Sequence, residues 1–209
     1  MPAGNQAHDL DQPASERVIQ KVAVALRANH IDATVVDTGE EAKRLVLELV
    51  PPGAEVHSAK SKTMQDLGIF HELFESGRYE SVRARYMAMD RATQGREIRK
   101  VMAAPDYMLG SAQAITEAGD LVVASATANQ LGPYASGAGR LILIVGSQKI
   151  VRDLDEAMLR IDKKVFPFED AMVRERVPTG TFVGKILIIR REWVDGRTTV
   201  ILVREPVGV

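Results

Sequence analysis

The sequence predicts an α/β protein: a three-layer, mostly parallel open sheet flanked by helices, with a C-terminal antiparallel hairpin. Short β-branched or apolar segments alternate with segments of helical periodicity over most of the chain, which is typical of βαβ units. Residues 141–145 are continuously apolar, as expected of a strand buried on both faces of a parallel sheet. Two strand-like segments near the C-terminus flank Asp195-Gly196, a common hairpin turn.

The first part of the chain contains clear start and stop signals. Residues 1–14 are polar and are expected to form a disordered lead, followed by a single domain over 15–209. The predicted elements are then, in order, a helix capped by Ser15 and running to about Asn29, a strand at 34–36, a helix capped by Thr38 and ending before Pro51, a strand at 55–57 and a helix that Thr63 opens.

The rest of the chain continues the alternation. Charges are dense over 86–102, which favours a solvated helix face. The remaining predicted elements are a helix carrying Phe70, Leu73 and Phe74 in the core, strands at 107–109 and 141–145, helices at 153–164 and 169–176, and the hairpin strands 185–190 and 198–203. A further apolar run lies at 121–124.

Composition excludes several function classes. The 209 residues carry a net charge of −1, so no global field favours nucleic acid or an acidic membrane. The absence of cysteine rules out disulfides, thiol catalysis and a cysteine-held iron–sulfur cluster in this sequence, and no other cofactor is indicated. No apolar run approaches the roughly 20 residues of a membrane helix, and the N-terminus lacks a signal-peptide core. We therefore expect a cytoplasmic protein without nucleic-acid or membrane partners.

The stretch from Ser111 to Tyr134 is the first candidate site. It sets Glu117 among small, neutral residues and adds Thr116, Asn129 and Gln130. Small residues let a backbone approach a ligand closely, so the stretch is a candidate floor with Glu117 as the catalytic carboxylate. The alternative is a structural turn, in which Thr116 and Glu117 satisfy backbone donors at a helix start.

Two further loops follow predicted strands. The first offers ammonium and hydroxyl groups next to a helix start, which are the groups that an anion needs; its candidate ligands are Ser58, Lys60, Ser61, Lys62 and Thr63. A lysine-rich surface loop is the alternative interpretation. The second loop, 146–149, presents Lys149. Because ligands bind at the carboxyl ends of parallel strands, we expect Lys62, Glu117 and Asn129 to line one cleft.

Other motifs do not indicate sites. The histidines His8, His30, His57 and His71 have no metal-ligand spacing, so no metal site is predicted. Residues 180–185 have the wrong spacing for a P-loop, and a predicted strand follows them instead of a helix.

Several segments together resemble the lactate-utilisation (LUD) domain family. They are SKTMQDLG at 61–68, AITEAGDLV at 114–122, Asn129, IVGSQKIV at 144–151 and DLDEA at 153–157. The resemblance implies the sheet-and-helix fold shared by sugar-phosphate isomerases and coenzyme A transferases. It also implies a part in oxidising L-lactate to pyruvate alongside iron–sulfur partner proteins. Carried over, Lys62 and Thr63 would hold an anion, Glu117 would face the reacting centre, and Asn129 and Lys149 would line the pocket.

The sequence departs from the family pattern at two places. Ala128 stands where the family usually has glycine, and the cysteine-rich segment expected near 178–180 is absent. The chain therefore cannot carry electrons through a cluster of its own.

Three functions remain open at this stage. The first is a LUD-type subunit that binds a small anionic metabolite and acts with iron–sulfur partners. The second is a stand-alone enzyme acting on a phosphosugar or a coenzyme A thioester. The third is a non-catalytic sensor or scaffold. All three remain open because fold does not fix function. A homo-oligomer is compatible with each.

Overall fold

The computed structural model describes residues 10–209. Most of the predicted disordered lead, residues 1–9, lies outside the described residues. Residues 10–14 contain no helix or strand. None of the helices within 10–209 is both long and apolar enough to cross a membrane.

Eight α-helices and ten strands make up the described chain. The helices are α1 Glu16–Ala28, α2 Gly39–Leu49, α3 Lys62–Asp66, α4 Ile69–Phe74, α5 Val82–Met87, α6 Gly95–Ala103, α7 Leu154–Arg160 and α8 Phe166–Arg174. The strands are β1 Asp32–Val36, β2 Glu55–Ser58, β3 Glu80–Ser81, β4 Tyr107–Gly110, β5 Ala114–Thr116, β6 Leu121–Ser125, β7 Arg140–Gly146, β8 Ile150–Val151, β9 Lys185–Ile189 and β10 Thr198–Val203.

The central sheet confirms the predicted fold class. Its six strands run in the order β1-β10-β7-β4-β2-β3, and every neighbouring pair is parallel. A second sheet has the order β8-β5-β6-β9, in which β5 pairs in parallel with β8 and antiparallel with β6. The fold is therefore an open parallel sheet with an additional small sheet.

Strand β7 shows why the central sheet is covered on both sides. Leu141, Leu143 and Val145 pack into a core with α1 and the second sheet, whereas Ile142 and Ile144 pack into a core with α2, α3 and α4. Alternate side chains of a strand point to opposite faces, so a continuously apolar strand needs a layer on each face. The prediction for 141–145 is confirmed.

The predicted C-terminal hairpin is wrong. Strand β10 pairs in parallel with β1 and β7 inside the central sheet, and β9 pairs antiparallel with β6 in the second sheet. Five of the six β10 residues are buried, whereas β9 is largely exposed. A strand apolar on both faces is stabilised in the interior of a covered sheet, and the half-exposed strand occupies an edge.

Helix boundaries agree with the sequence signals except at three places. Helix α3 begins at Lys62 and not at Thr63, because the Ser61 side chain accepts the Met64 N–H. The predicted helices at 153–164 and 169–176 form one continuous helical run, with a π-helical segment at Ile161–Val165 joining α7 to α8. The charged segment 86–102 divides between α5 and α6, and α6 has no buried residue.

The two predicted N-caps allow a matched test. The Glu41 N–H donates to Thr38 Oγ1 at 3.2 Å, whereas Ser15 makes no side-chain capping hydrogen bond. Replacing Thr38 with alanine should lower the free energy of unfolding by about 1 kcal/mol, because one helix N–H loses its acceptor. Ser15→Ala, measured by the same urea titration, should lower the free energy of unfolding much less. Equal losses in the two variants would contradict the assignment of Thr38 as a side-chain N-cap.

Candidate functional site

Three loops meet at the carboxyl edge of the central sheet. They follow β2, β4 and β7, which are neighbours in the sheet and point the same way. Parallel strands deliver the loops that follow them to one edge, which is where open α/β sheets bind ligands. The topology therefore brings together the regions around Thr63, Ser111 and Lys149.

Lys149 joins these three loops by hydrogen bonds. Its Nζ donates to Thr63 Oγ1 at 2.8 Å and to Ser111 Oγ at 3.2 Å. Lys149 and Thr63 are each only 2% exposed. The contact supports the predicted convergence of the first and third loops at a single position.

Burial changes the protonation of this amine. Removal from water, together with the nearby charge of Arg160 and against the opposing charge of Asp66, lowers the pKa of Lys149 to about 7. Within residues 10–209, no carboxylate forms an ion pair with Lys149. The nearby Asp66 pairs with Lys62 instead. The amine is therefore divided between its charged and neutral forms near neutral pH.

A second buried cation lies behind the cleft. Arg160 is fully buried, and its Nη1 donates to the Gln113 carbonyl at 2.8 Å. Its Nε and Nη2 have no hydrogen-bond partner among the described residues. Burial lowers the pKa of Arg160 to about 10, which leaves it protonated at neutral pH. This region of the protein thus carries positive charge that no carboxylate of the described chain neutralises by an ion pair.

The C-terminal segment covers the Thr63–Lys149 contact. Gln148 Nε2 donates to the carbonyls of Val207 and Gly208, at 3.0 and 3.3 Å. Gly208 has a φ of +69°, and a Cβ there would lie 2.1 Å from Thr63 Oγ1. Only glycine both adopts this conformation readily and leaves room for the hydroxyl.

The cleft in front of Lys149 has two adjoining compartments. The inner compartment has a cavity volume of about 60 Å³ and is open to solvent; its polar lining includes Lys60, Ser61, Lys62, Thr63, Ser111, Gln113, Gln130, Tyr134, Lys149 and Glu169. The outer compartment has a cavity volume of about 280 Å³ and is lined by Ser125, Thr127, Asn129, Phe166, Phe182 and others, and it shares Lys60, Gln113, Gln130 and Glu169 with the inner one. The inner part is polar, and the outer part adds apolar side chains.

Most of the predicted ligand residues line this cleft. Lys60, Ser61, Lys62, Thr63, Gln130 and Lys149 line the inner compartment, and Asn129 lines the outer one. Ser58 does not line either compartment, because its buried hydroxyl donates to the Ala59 carbonyl at 2.6 Å. Lys60 has no ion pair with another described residue and is exposed at the cleft rim.

The expectation that Glu117 joins this cleft is wrong. Glu117 lies outside both compartments, and Lys21 of α1 binds its Oε2 at 2.6 Å. Thr116 is also outside, since it accepts the Asp120 N–H at 3.0 Å and closes the turn between β5 and β6. The middle of the stretch 111–134 is a structural turn of a hairpin, not of a helix start, and it packs against α1.

The ends of that stretch, in contrast, contribute to the cleft. Ser111, Gln113, Gln130 and Tyr134 all line the inner compartment. The sequence predicted a site in this stretch, but with its central carboxylate, Glu117, as the catalytic residue. The carboxylate of the cleft is Glu169 of α8, whose side chain has no ion pair with another described residue. Nothing in the local sequence distinguishes Glu169 or Arg160 from the other charged residues of these helical segments.

Ala128, one of the departures from the family pattern, has a left-handed backbone conformation. Its φ is +68°, the left-handed region that glycine adopts readily and alanine does not. The Ala128 N–H donates to Ser125 Oγ at 2.9 Å, which holds this conformation next to Asn129. The glycine usual at this position would meet the same backbone requirement without strain.

The comparison with family models agrees with the resemblance. The model of the LUD domain family matches residues 19–203. A solved structure of a DUF162 family protein from Deinococcus radiodurans is similar, with 13% sequence identity and a TM-score of 0.49 over 91% of this chain and 99% of that chain. The chain matches none of the curated proteins with which it was compared.

The protonation of Lys149 predicts a pH-dependent stability. Between a folded pKa of about 7 and the ordinary lysine value of 10.5, the unfolded chain binds more protons, so the stability of the wild type rises with pH. Lys149→Met removes this term. We expect the unfolding free energy of Lys149→Met, minus that of the wild type, to fall by about 1–3 kcal/mol between about pH 6 and pH 9.

Urea titrations of both proteins at the two pH values measure this difference. Lys185→Met, at an exposed lysine on β9, serves as the control and should show no comparable change. A constant difference between Lys149→Met and the wild type would mean that the amine keeps an ordinary pKa.

Proposed function

Because the chain belongs to the LUD domain family, which is associated with lactate utilisation, we propose that its cleft binds a small organic anion of the lactate or pyruvate class. In this proposal the protein takes part in the oxidation of L-lactate to pyruvate in the cytoplasm. The observation that carries the proposal is the buried Lys149 amine, which has no carboxylate partner among the described residues and lies on the wall of a polar cleft.

The charges around the inner compartment favour an anion. Lys60 places at its rim an ammonium group that has no ion pair with another described residue, Lys62 adds an ammonium group that is paired with Asp66, and Arg160 adds positive charge from behind. Positive charge that the protein leaves uncompensated in a low-dielectric site attracts anions more strongly than the same charge in water. A ligand carboxylate near Lys60 would complete this arrangement.

The neutral polar groups favour a short ligand with a second oxygen. Ser111, Gln113 and Gln130 line the inner compartment beside Lys149, and hydroxyl and amide groups of this kind both donate and accept hydrogen bonds. A hydroxyl or carbonyl oxygen on the carbon next to a carboxylate would reach such groups. This pattern is the one shared by lactate and pyruvate.

Electrons from lactate would have to leave this chain. The sequence has no cysteine, so it cannot hold a cysteine-ligated cluster. We therefore propose that iron–sulfur partner proteins accept the electrons and that this chain binds and positions the organic acid. The stand-alone enzyme alternative has lost its proposed base, because Glu117 lies outside the cleft.

Ligand binding to the wild type and to Lys149→Met tests the proposal. A ligand at about a hundred times its dissociation constant adds roughly 2.7 kcal/mol to the unfolding free energy, which raises the melting temperature by several degrees. We expect lactate or pyruvate to give such a rise in the wild type and in Lys185→Met. Lys149→Met should lose it, because the wall of the inner compartment loses its buried amine.

Circular dichroism establishes that each variant is folded before the comparison. Phosphosugars and coenzyme A thioesters belong in the same series, since a rise with these and not with lactate or pyruvate would replace the proposed substrate class. No rise with lactate or pyruvate in the wild type, over concentrations up to the millimolar range, would contradict the proposal.

The two carboxylates provide a matched test of where the anion binds. Glu169 lines the cleft and repels an anion there, whereas Glu117 is paired with Lys21 outside it. We expect Glu169→Gln to tighten binding by about two- to fivefold, from a like-charge repulsion of roughly 0.5–1 kcal/mol. Titration calorimetry should show no comparable change for Glu117→Gln. Tighter binding in Glu117→Gln alone would move the site away from the cleft.

A further inference from the structure

The hydrogen bonds of Lys149 fit a neutral amine. Ser111 Oγ donates its own hydrogen to the Ala112 carbonyl at 3.2 Å, so towards Lys149 Nζ it is an acceptor. Thr63 Oγ1 accepts the other hydrogen bond at 2.8 Å. A neutral amine has two N–H groups and one lone pair, and these two acceptors use both N–H groups. Nζ has no third hydrogen-bond partner among the described residues.

The surroundings of the amine also favour the neutral form. No carboxylate of residues 10–209 pairs with it, and Arg160 adds a like charge nearby. The resulting pKa of about 7 leaves a substantial neutral fraction at physiological pH, whereas an exposed lysine is almost fully protonated. A desolvated lysine amine of this kind is the nucleophile that condenses with carbonyl groups.

A proton donor lies on the same wall. The Tyr134 phenol lines the inner compartment, is 2% exposed and is hydrogen-bonded to the backbone of Ser111, the residue whose hydroxyl contacts Lys149. Burial holds the pKa of Tyr134 well above its usual value, so the phenol keeps its proton. Gly110 makes this position possible, because a Cβ there would collide with the phenol oxygen.

We propose that Lys149 forms an imine with the carbonyl carbon of a 2-oxo acid bound in the inner compartment. The proposal rests on the anion-binding function given above and extends it to a covalent step. It assigns Lys149 as the nucleophile and Tyr134 as the proton donor. Lactate has no carbonyl carbon and cannot form this bond, so the covalent step would distinguish a 2-oxo acid from the corresponding 2-hydroxy acid.

The step balances without an oxidant or a reductant. The lone pair of Lys149 Nζ attacks the carbonyl carbon, the C–N bond forms, and the carbonyl oxygen takes up the proton that leaves nitrogen. The resulting hydroxyl then departs as water with a proton from Tyr134, while the nitrogen lone pair forms the C=N bond. The second proton from nitrogen moves to the phenol oxygen in the same step, so Tyr134 relays a proton and no free phenolate forms. The sum is amine plus ketone giving imine plus water.

Reductive trapping of the whole chain tests this inference. The protein is incubated with pyruvate and sodium cyanoborohydride, and the product is analysed by intact mass and peptide mapping. We expect one reduced pyruvyl group, located on Lys149, in the wild type and in Lys185→Met. Lactate in place of pyruvate should give no adduct. Lys149→Met and Lys149→Arg should give none either, and using two variants guards against a folding defect in one of them.

A Tyr134→Phe variant separates a proton donor from a packing residue. Loss of a general acid should slow trapping by roughly a hundredfold while the pyruvate-induced rise in melting temperature remains. The trapping rate of the wild type should also rise with pH around pH 7, well below the range in which exposed lysines deprotonate. Trapping by Tyr134→Phe at the wild-type rate would remove Tyr134 from the step.

The outcomes distinguish the two proposals. A pyruvate-induced rise in melting temperature without an adduct on Lys149 would overturn the imine and leave anion binding intact. If pyruvate gives neither a rise in melting temperature nor an adduct, the proposed function itself is contradicted. Adducts spread over exposed lysines and persisting in Lys149→Met would show non-specific chemistry and would also overturn the inference.

Discussion

Burial of the Lys149 amine between two hydroxyl groups is the constraint on which the cleft depends. Its hydrogen bonds to Thr63 and Ser111 join the loops after β2, β4 and β7, so the three loops hold one relative position. An unsatisfied buried amine would cost several kcal/mol, so these hydroxyl partners are needed for the arrangement to form at all. The same burial that demands these partners lowers the pKa of the amine into the physiological range.

The parallel sheet makes this contact possible. Residues in β2, β4 and β7 are far apart in sequence, but adjacent parallel strands end at one edge. The C-terminal segment then closes over the contact through Gln148, with Gly208 fitting against Thr63. The cleft is therefore built from the centre of the sheet outward, and rigid strands hold the groups whose spacing matters.

The distribution of charge connects this architecture to the proposed chemistry. Lys60, Lys62 and Lys149 line the inner compartment, and Arg160 lies behind it without a carboxylate partner among the described residues. Glu169 is the carboxylate of this cleft, whereas Glu117 serves a turn against α1. An anion with an oxygen next to its carboxylate matches this set of groups, and a neutral amine beside a protonated phenol matches carbonyl chemistry.

The sequence by itself determined the fold class, because apolar runs such as 141–145 and helix signals such as Thr38 act locally. It also marked the loops that carry Thr63 and Lys149, since each directly follows a strand. Tertiary structure alone decided that β10 inserts between β1 and β7 instead of pairing with β9, because strand partners are chosen by the burial of both faces. For the same reason only the fold could place Glu169, and not Glu117, in the cleft: a carboxylate's neighbours across the chain depend on packing, and no local pattern encodes them.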